Sequence, residues 1–104
     1  MTRKDLGADL PIGAVKDGQR IAVEIKSFVG PSDMHDLELA LGQFWLYREV
    51  LAEIDADRTL FLAVPKYAWK SLLSGPLGQL VTERYQLRFL VFDEQERRIL
   101  QWIP

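Results

Sequence analysis

The stretch Ile21-Ala-Val-Glu-Ile-Lys-Ser-Phe28 (IAVEIKSF, residues 21–28) decides how the rest of the chain is read. Ile21, Val23, Ile25 and Phe28 are strand formers. Glu24 and Lys26 interrupt them, two residues apart, and so point to the same face of a strand. A strand that is apolar in both phases belongs inside a sheet, where an unpartnered charge is costly. An acid and a base placed side by side there call for an explanation beyond a solvated surface pair.

Upstream, Leu10 to Val15 is weakly strand-like, with Pro11 near its start, and Lys16-Asp-Gly-Gln19 is a hairpin turn signal. Downstream, Ser32 or Asp33 can cap a helix running from about Met34 to Glu53, with Asp33 and Asp36 in its first turn. That helix carries two apolar stripes, Leu37/Leu41/Phe44 and Leu39/Leu46/Val50, which predict cover on more than one side. Thr59 to Pro65 (TLFLAVP) reads as a buried parallel strand. Tyr67–Leu73 and Leu77–Tyr85 read as short helices, and Leu87–Asp93 and Arg98–Ile103 as strands around the turn EQER. The order predicts an α/β (α+β) fold, a mixed central sheet flanked by helices.

The 104 residues suit one domain spanning 1–104, and a hydrophobic fraction of 48% can fill one core. A formal net charge of −2 argues against a protein that coats nucleic acid through bulk charge. No cysteine is present, which excludes disulfides and thiolate metal sites, and the single histidine, His35, argues against zinc chemistry. No apolar run reaches the roughly 20 residues of a membrane span, and no signal peptide is visible, so the expected location is cytoplasmic.

With the hairpin centred on Asp17–Gly18, Glu24 lies opposite about Pro11, and Asp9 sits about two residues beyond; Asp5 lies farther along. On the helix, Gln43 and Tyr47 are four apart and share a face. Two carboxylates, Glu24 with Asp9 or Asp5, can hold a hard cation such as Mg²⁺ or Mn²⁺. Such a cation polarises a phosphodiester oxygen and acidifies a bound water. Lys26 can then orient that water or offset charge in the transition state. His35 reads as a solvated residue of the helix start, and Trp45, Trp69 and Trp102 read as core or rim packing.

The acid, the E-x-K strand and Gln43/Tyr47 on the following helix resemble the PD-(D/E)xK nuclease superfamily, with the QxxxY motif of its RecB-like branch. A closer resemblance spans nearly the whole chain. The strings DLGAD, IAVEIKSFVGPSD, ALGQFWLYR, LFLAVP and LQWIP look like the XisH family, the fdxN element excision-controlling factors of cyanobacteria. The resemblance implies a restriction-endonuclease-like core and a role in programmed DNA excision during heterocyst differentiation. It also implies DNA and a XisI-like protein as partners. Glu24, Lys26, Gln43 and Tyr47 become the expected catalytic set, and Asp9, Glu24 and Asp5 the expected metal ligands. Family members carry a further N-terminal helix and strand that this sequence lacks, so homo-oligomerisation over the exposed surface is expected. The family generally has DLGAE where Asp9 ends DLGAD here. DLGA itself looks like the start of a nuclease strand and favours Asp5, whereas hairpin register favours Asp9. Two activities fit: a Mg-dependent DNA endonuclease, or a non-catalytic nuclease-fold module acting through its partner.

Overall fold

The structure, a computed structural model, describes residues 11–28 and 32–104. The Asp17–Gly18 turn joins β1 (Ile12–Lys16) to β2 (Gln19–Ile25). Both turn residues take positive φ, 52° and 79°, the backbone a two-residue hairpin needs. The ladder pairs Ile12 with Val23, so Glu24 stands one step beyond, level with Pro11, as the hairpin count predicts. The chain then forms α1 (Asp33–Ile54), capped by the Ser32 hydroxyl accepting from the His35 N–H at 3.2 Å. β3 (Thr59–Pro65) follows, then α2 (Lys66–Ala68), which runs into a π-helical segment (Trp69–Leu73). α3 (Pro76–Tyr85), β4 (Phe89–Asp93) and β5 (Arg98–Ile103) complete the order.

The five strands lie in sequence order. β2, β3 and β4 are parallel, and β1 and β5 are antiparallel edges. Reading IAVEIKSF as an interior strand is thus correct, although regular pairing stops at Ile25 and not at Phe28. Alternation along the strands separates two faces. Ala22, Leu60, Leu62, Val64, Phe89 and Val91 join Leu37, Ala40, Phe44 and Leu51 of α1 in the main core. Ala68, Leu73 and Trp69 of the following turns pack there too, so the described helices cover one face.

The other face is buried by curling. Lys16 on one edge strand holds its ammonium 4.8 Å from the ring centroid of Trp102 on the opposite edge strand. Trp102 meets Phe61 edge-on at 5.2 Å, and Phe61, Ala63 and Leu90 are buried although none of the described helices lies over them. The curl closes only part of this face: Ile12, Ile25 and Ile99 stay at least half exposed. The second stripe of α1 corrects the expectation of cover on more than one side. Leu39 is 51% and Leu46 48% exposed, because the sheet offers α1 a single surface. Trp45, at 55%, is likewise outside the core. Among the described residues no helix is long and apolar enough to cross a membrane.

Candidate functional site at the carboxyl ends of the parallel strands

Three parallel strands end on one side of the molecule, and ligands of open α/β sheets bind beyond such carboxyl ends. β2 brings Glu24 and Lys26 there. Glu24 is level with Leu62 in the β3 ladder and shares the face of Ala22, so it lies on the helix-covered side. The Lys26 N–H donates to the Ala63 carbonyl at 2.9 Å, which extends the ladder and holds Lys26 on that same face. Its Nζ stands 3.6 Å from Glu24 Oε1, and about four-fifths of each side chain is shielded. This distance is an ion pair without a tight hydrogen bond.

Phe28 then turns the chain away with φ 55°, a left-handed conformation that strains a bulky side chain. The cost, about 1–3 kcal/mol, is tolerated because the ring is buried in the main core. Just before it, the Ser27 carbonyl accepts from the Tyr67 hydroxyl at the start of α2. The Tyr67 phenol is pushed above its ordinary pKa, first by burial and then by the negative charges of Glu94, Asp33 and Asp36. Acids from the β4–β5 turn and from the first turn of α1 are therefore near enough to act electrostatically on this hydroxyl.

Asp93 closes β4 as the buried acid of the described core. Its Oδ1 accepts from the Gln95 and Glu96 N–H groups at 3.0 and 3.2 Å, and Lys66 Nζ donates to its Oδ2 at 3.2 Å. The Glu96 backbone bond does most to hold its pKa below the usual carboxylate range; burial opposes it, while Lys66 and the Gln95 N–H assist. Sequence reasoning missed Asp93, Lys66 and Tyr67. The available signal was an acid closing the apolar strand Phe89-Leu-Val-Phe-Asp93 and Lys66-Tyr67 directly after Pro65.

Of the expected set, Glu24 and Lys26 meet directly. Gln43 and Tyr47 lie on α1, whose buried stripe covers the Glu24 face, and Tyr47 packs against the main core. Among the described residues the buried Gln43 side-chain oxygen has no hydrogen-bond partner, an arrangement that costs energy unless something else donates or coordinates. Asp5 and Asp9 fall outside the described residues. Among the described residues no three acidic, histidine or cysteine side chains are grouped to hold a metal ion. A second concavity, about 260 Å³, lies between α1 and the α3–β4 junction. Its one charged lining group, Arg48, is already engaged with the Tyr85 carbonyl at 2.7 Å and the Phe44 ring at 5.3 Å.

Comparison with known proteins agrees with this architecture. A family model described as XisH protein matches residues 1–100. No curated protein matches the chain. Among solved structures, a fdxN element excision controlling factor protein from Anabaena variabilis is 37% identical with a TM-score of 0.87, covering 100% of this chain and 82% of its own. An XisH family protein from Nostoc punctiforme PCC 73102 is 34% identical with a TM-score of 0.88, covering 100% of this chain and 83% of its own.

Proposed function

The chain belongs to the XisH family, and on that premise we propose that it is a factor controlling excision of a DNA element, working as a metal-dependent, nuclease-like DNA-processing protein. The observation that carries this reading is the shielded Glu24–Lys26 pair at the carboxyl end of an interior strand, on the sheet face covered by α1; the same helix carries Gln43, whose buried side-chain oxygen has no partner among the described residues. A structural ion pair would gain from tighter bonds; a carboxylate left with open lone pairs beside a lysine can do chemistry.

An oxygen-only donor set suits Mg²⁺ or Mn²⁺, and the orphaned Gln43 oxygen fits such a group or its water. Glu24, with Asp9 or Asp5, would hold the ion, which supplies Lewis acidity toward a phosphodiester. Lys26 offsets charge on the reacting phosphate and orients the water that attacks it. Gln43 fixes the hydration around Glu24, and Tyr47 supports Gln43 from the next turn of α1.

The test is plasmid nicking with Mg²⁺ or Mn²⁺, with metal affinity read by calorimetry. Glu24→Gln should lose both metal binding and cleavage. Lys26→Ala should keep metal binding and slow cleavage by about 10²–10³. A second reading has its own support. With a net charge of −2 and the negative charges of Glu94, Asp33 and Asp36 acting on Tyr67, the site's rim is poorly suited to the phosphate backbone. On that reading the fold is a scaffold for a XisI-like partner. Wild-type protein that binds neither metal nor DNA in the partner's presence would decide for the scaffold.

A further inference from the structure

The side of α1 turned away from the sheet has an order of its own. His35, Leu39, Gly42, Leu46, Glu49 and Glu53 follow one another at intervals of four, three, four, three and four, the spacing of a two-helix seam. All six are exposed, and nothing lies within 4 Å of where a Gly42 side chain would begin. We propose that this seam joins α1 to α1 of a second copy of the chain, antiparallel, around a two-fold axis level with Phe44.

Two complementarities on the seam select that occupant and that direction. The first is steric. In an antiparallel pair centred there, Leu46 of each copy is opposite Gly42 of the other, a large side chain over an open seat, twice by symmetry. The second is electrostatic. The same register puts His35 of each copy opposite Glu53 of the other, and Leu39 opposite Glu49, whose methylene stem can cover the leucine while its carboxylate reaches toward solvent. A parallel pair would instead set Gly42 against Gly42, leaving a hole, and Glu49 and Glu53 against their own counterparts, which repel. Trp45, 55% exposed, flanks the seam beside the axis, where the same residue of the second copy lies alongside. The apolar centre and charged ends explain why a helix with one buried stripe carries a second apolar one. This inference is independent of any chemistry at Glu24.

The experiment is sedimentation velocity of the full chain over a concentration series. Wild-type protein should show a reversible dimer. Gly42→Leu fills both seats and should raise the dissociation constant by roughly a hundredfold or more. Leucine is also the better helix former, so the thermal midpoint of the monomer should not fall, and misfolding is thereby distinguished from lost association. His35→Glu and Glu53→Lys should each weaken the dimer, and an equimolar mixture of the two should restore it, because each cross-pair then has opposite charges. A wild-type monomer at the highest soluble concentration, a Gly42→Leu dimer as tight as wild type, or a mixture no tighter than its components would each overturn the proposal.

Discussion

At the amino ends of the parallel strands, Arg58 donates to the Ala14 and Ile21 carbonyls at 3.3 and 2.8 Å and to Asp55 at 3.0 Å, and Arg20 reaches the same carboxylate at 2.6 Å. At the carboxyl ends, Glu24 and Lys26 stand 3.6 Å apart and Phe28 holds a strained backbone. Both ends place acids and bases on one apolar sheet, and their degree of shielding is similar. They differ in how completely the polar atoms are used. The amino end is a clamp that ties the C-terminus of α1 to β1 and β2. At the carboxyl end Asp93 is fully bonded, but the Glu24–Lys26 pair leaves bonding capacity unspent.

Substitution of Arg58 should break the clamp and give the largest effect on stability. Arg58→Ala removes three bonds made by a shielded guanidinium and leaves part of Asp55 without its donor, while the Ala14 and Ile21 carbonyls keep only what the β1–β2 ladder gives them. A loss of about 3 kcal/mol is expected, or roughly 10–20 °C in thermal midpoint. Asp55→Asn should follow at about 2 kcal/mol, since an amide keeps one acceptor but loses the charge that both arginines meet. Denaturant titration of both variants measures this, and losses under about 1 kcal/mol would erase the contrast between the two ends.

Asp93 gives the comparison a pH axis. Its carboxyl pKa is lowered in the folded state, so its stabilising effect is fully present above the unfolded value near 3.9 and is lost as pH falls through the lower folded value. Asp93→Asn retains an oxygen for the Gln95 and Glu96 N–H groups but loses the charge facing Lys66. The variant should be less stable than wild type at neutral pH and should converge with it in acid. Thermal melts from pH 7 down to pH 2 check the convergence; a constant difference across that range would mean that the charge is not what matters.

The clamp's rigidity can be probed at Gly13. A Cβ there would lie 3.0 Å from Nη1 and 3.4 Å from Cζ of Arg58. If Arg58 could swing aside, Gly13→Ala would stabilise β1, because alanine has less backbone freedom to lose on folding. Held by three bonds, Arg58 should not yield, and a net cost of about 1 kcal/mol is expected. In an Arg58→Ala background the same substitution should become neutral or stabilising, a change of sign that a double-mutant cycle reads directly.

The elements were legible because each carries local signals: Asp17–Gly18 for the hairpin, Ser32 for the cap, and the TLFLAVP run for the buried strand. The Glu24–Lys26 pairing was legible for the same reason, since two residues on one strand share a face whatever the rest of the chain does. The curl was not legible. It depends on Lys16 meeting Trp102 across the whole sheet, a contact between edges that no local pattern encodes. Asp93 was missed because its partner Lys66 is 27 residues away and joined to it only by the parallel order of β3 and β4. The outer stripe of α1 was legible as apolar but not as exposed, because periodicity reports a face and not what covers it.

The smallest expected effect is the most discriminating. Glu24→Gln changes a carboxylate to an amide of the same shape, the chemical change that Asp55→Asn makes at the other end. Glu24 sits 3.6 Å from its lysine, and both charges are largely withdrawn from water. Their attraction is then nearly offset by the cost of desolvating them. The amide needs less desolvation and can still accept from Lys26. Stability should therefore change by no more than about 0.5 kcal/mol, and a small gain is as consistent with the argument as a small loss. Equal denaturation midpoints for wild type and Glu24→Gln, next to a clear loss for Asp55→Asn, would mean that the carboxylate of Glu24 is not retained for folding. A loss at Glu24 as large as that at Asp55 would make the carboxyl-end pair a second clamp, and the case for a reactive site there would fall with it.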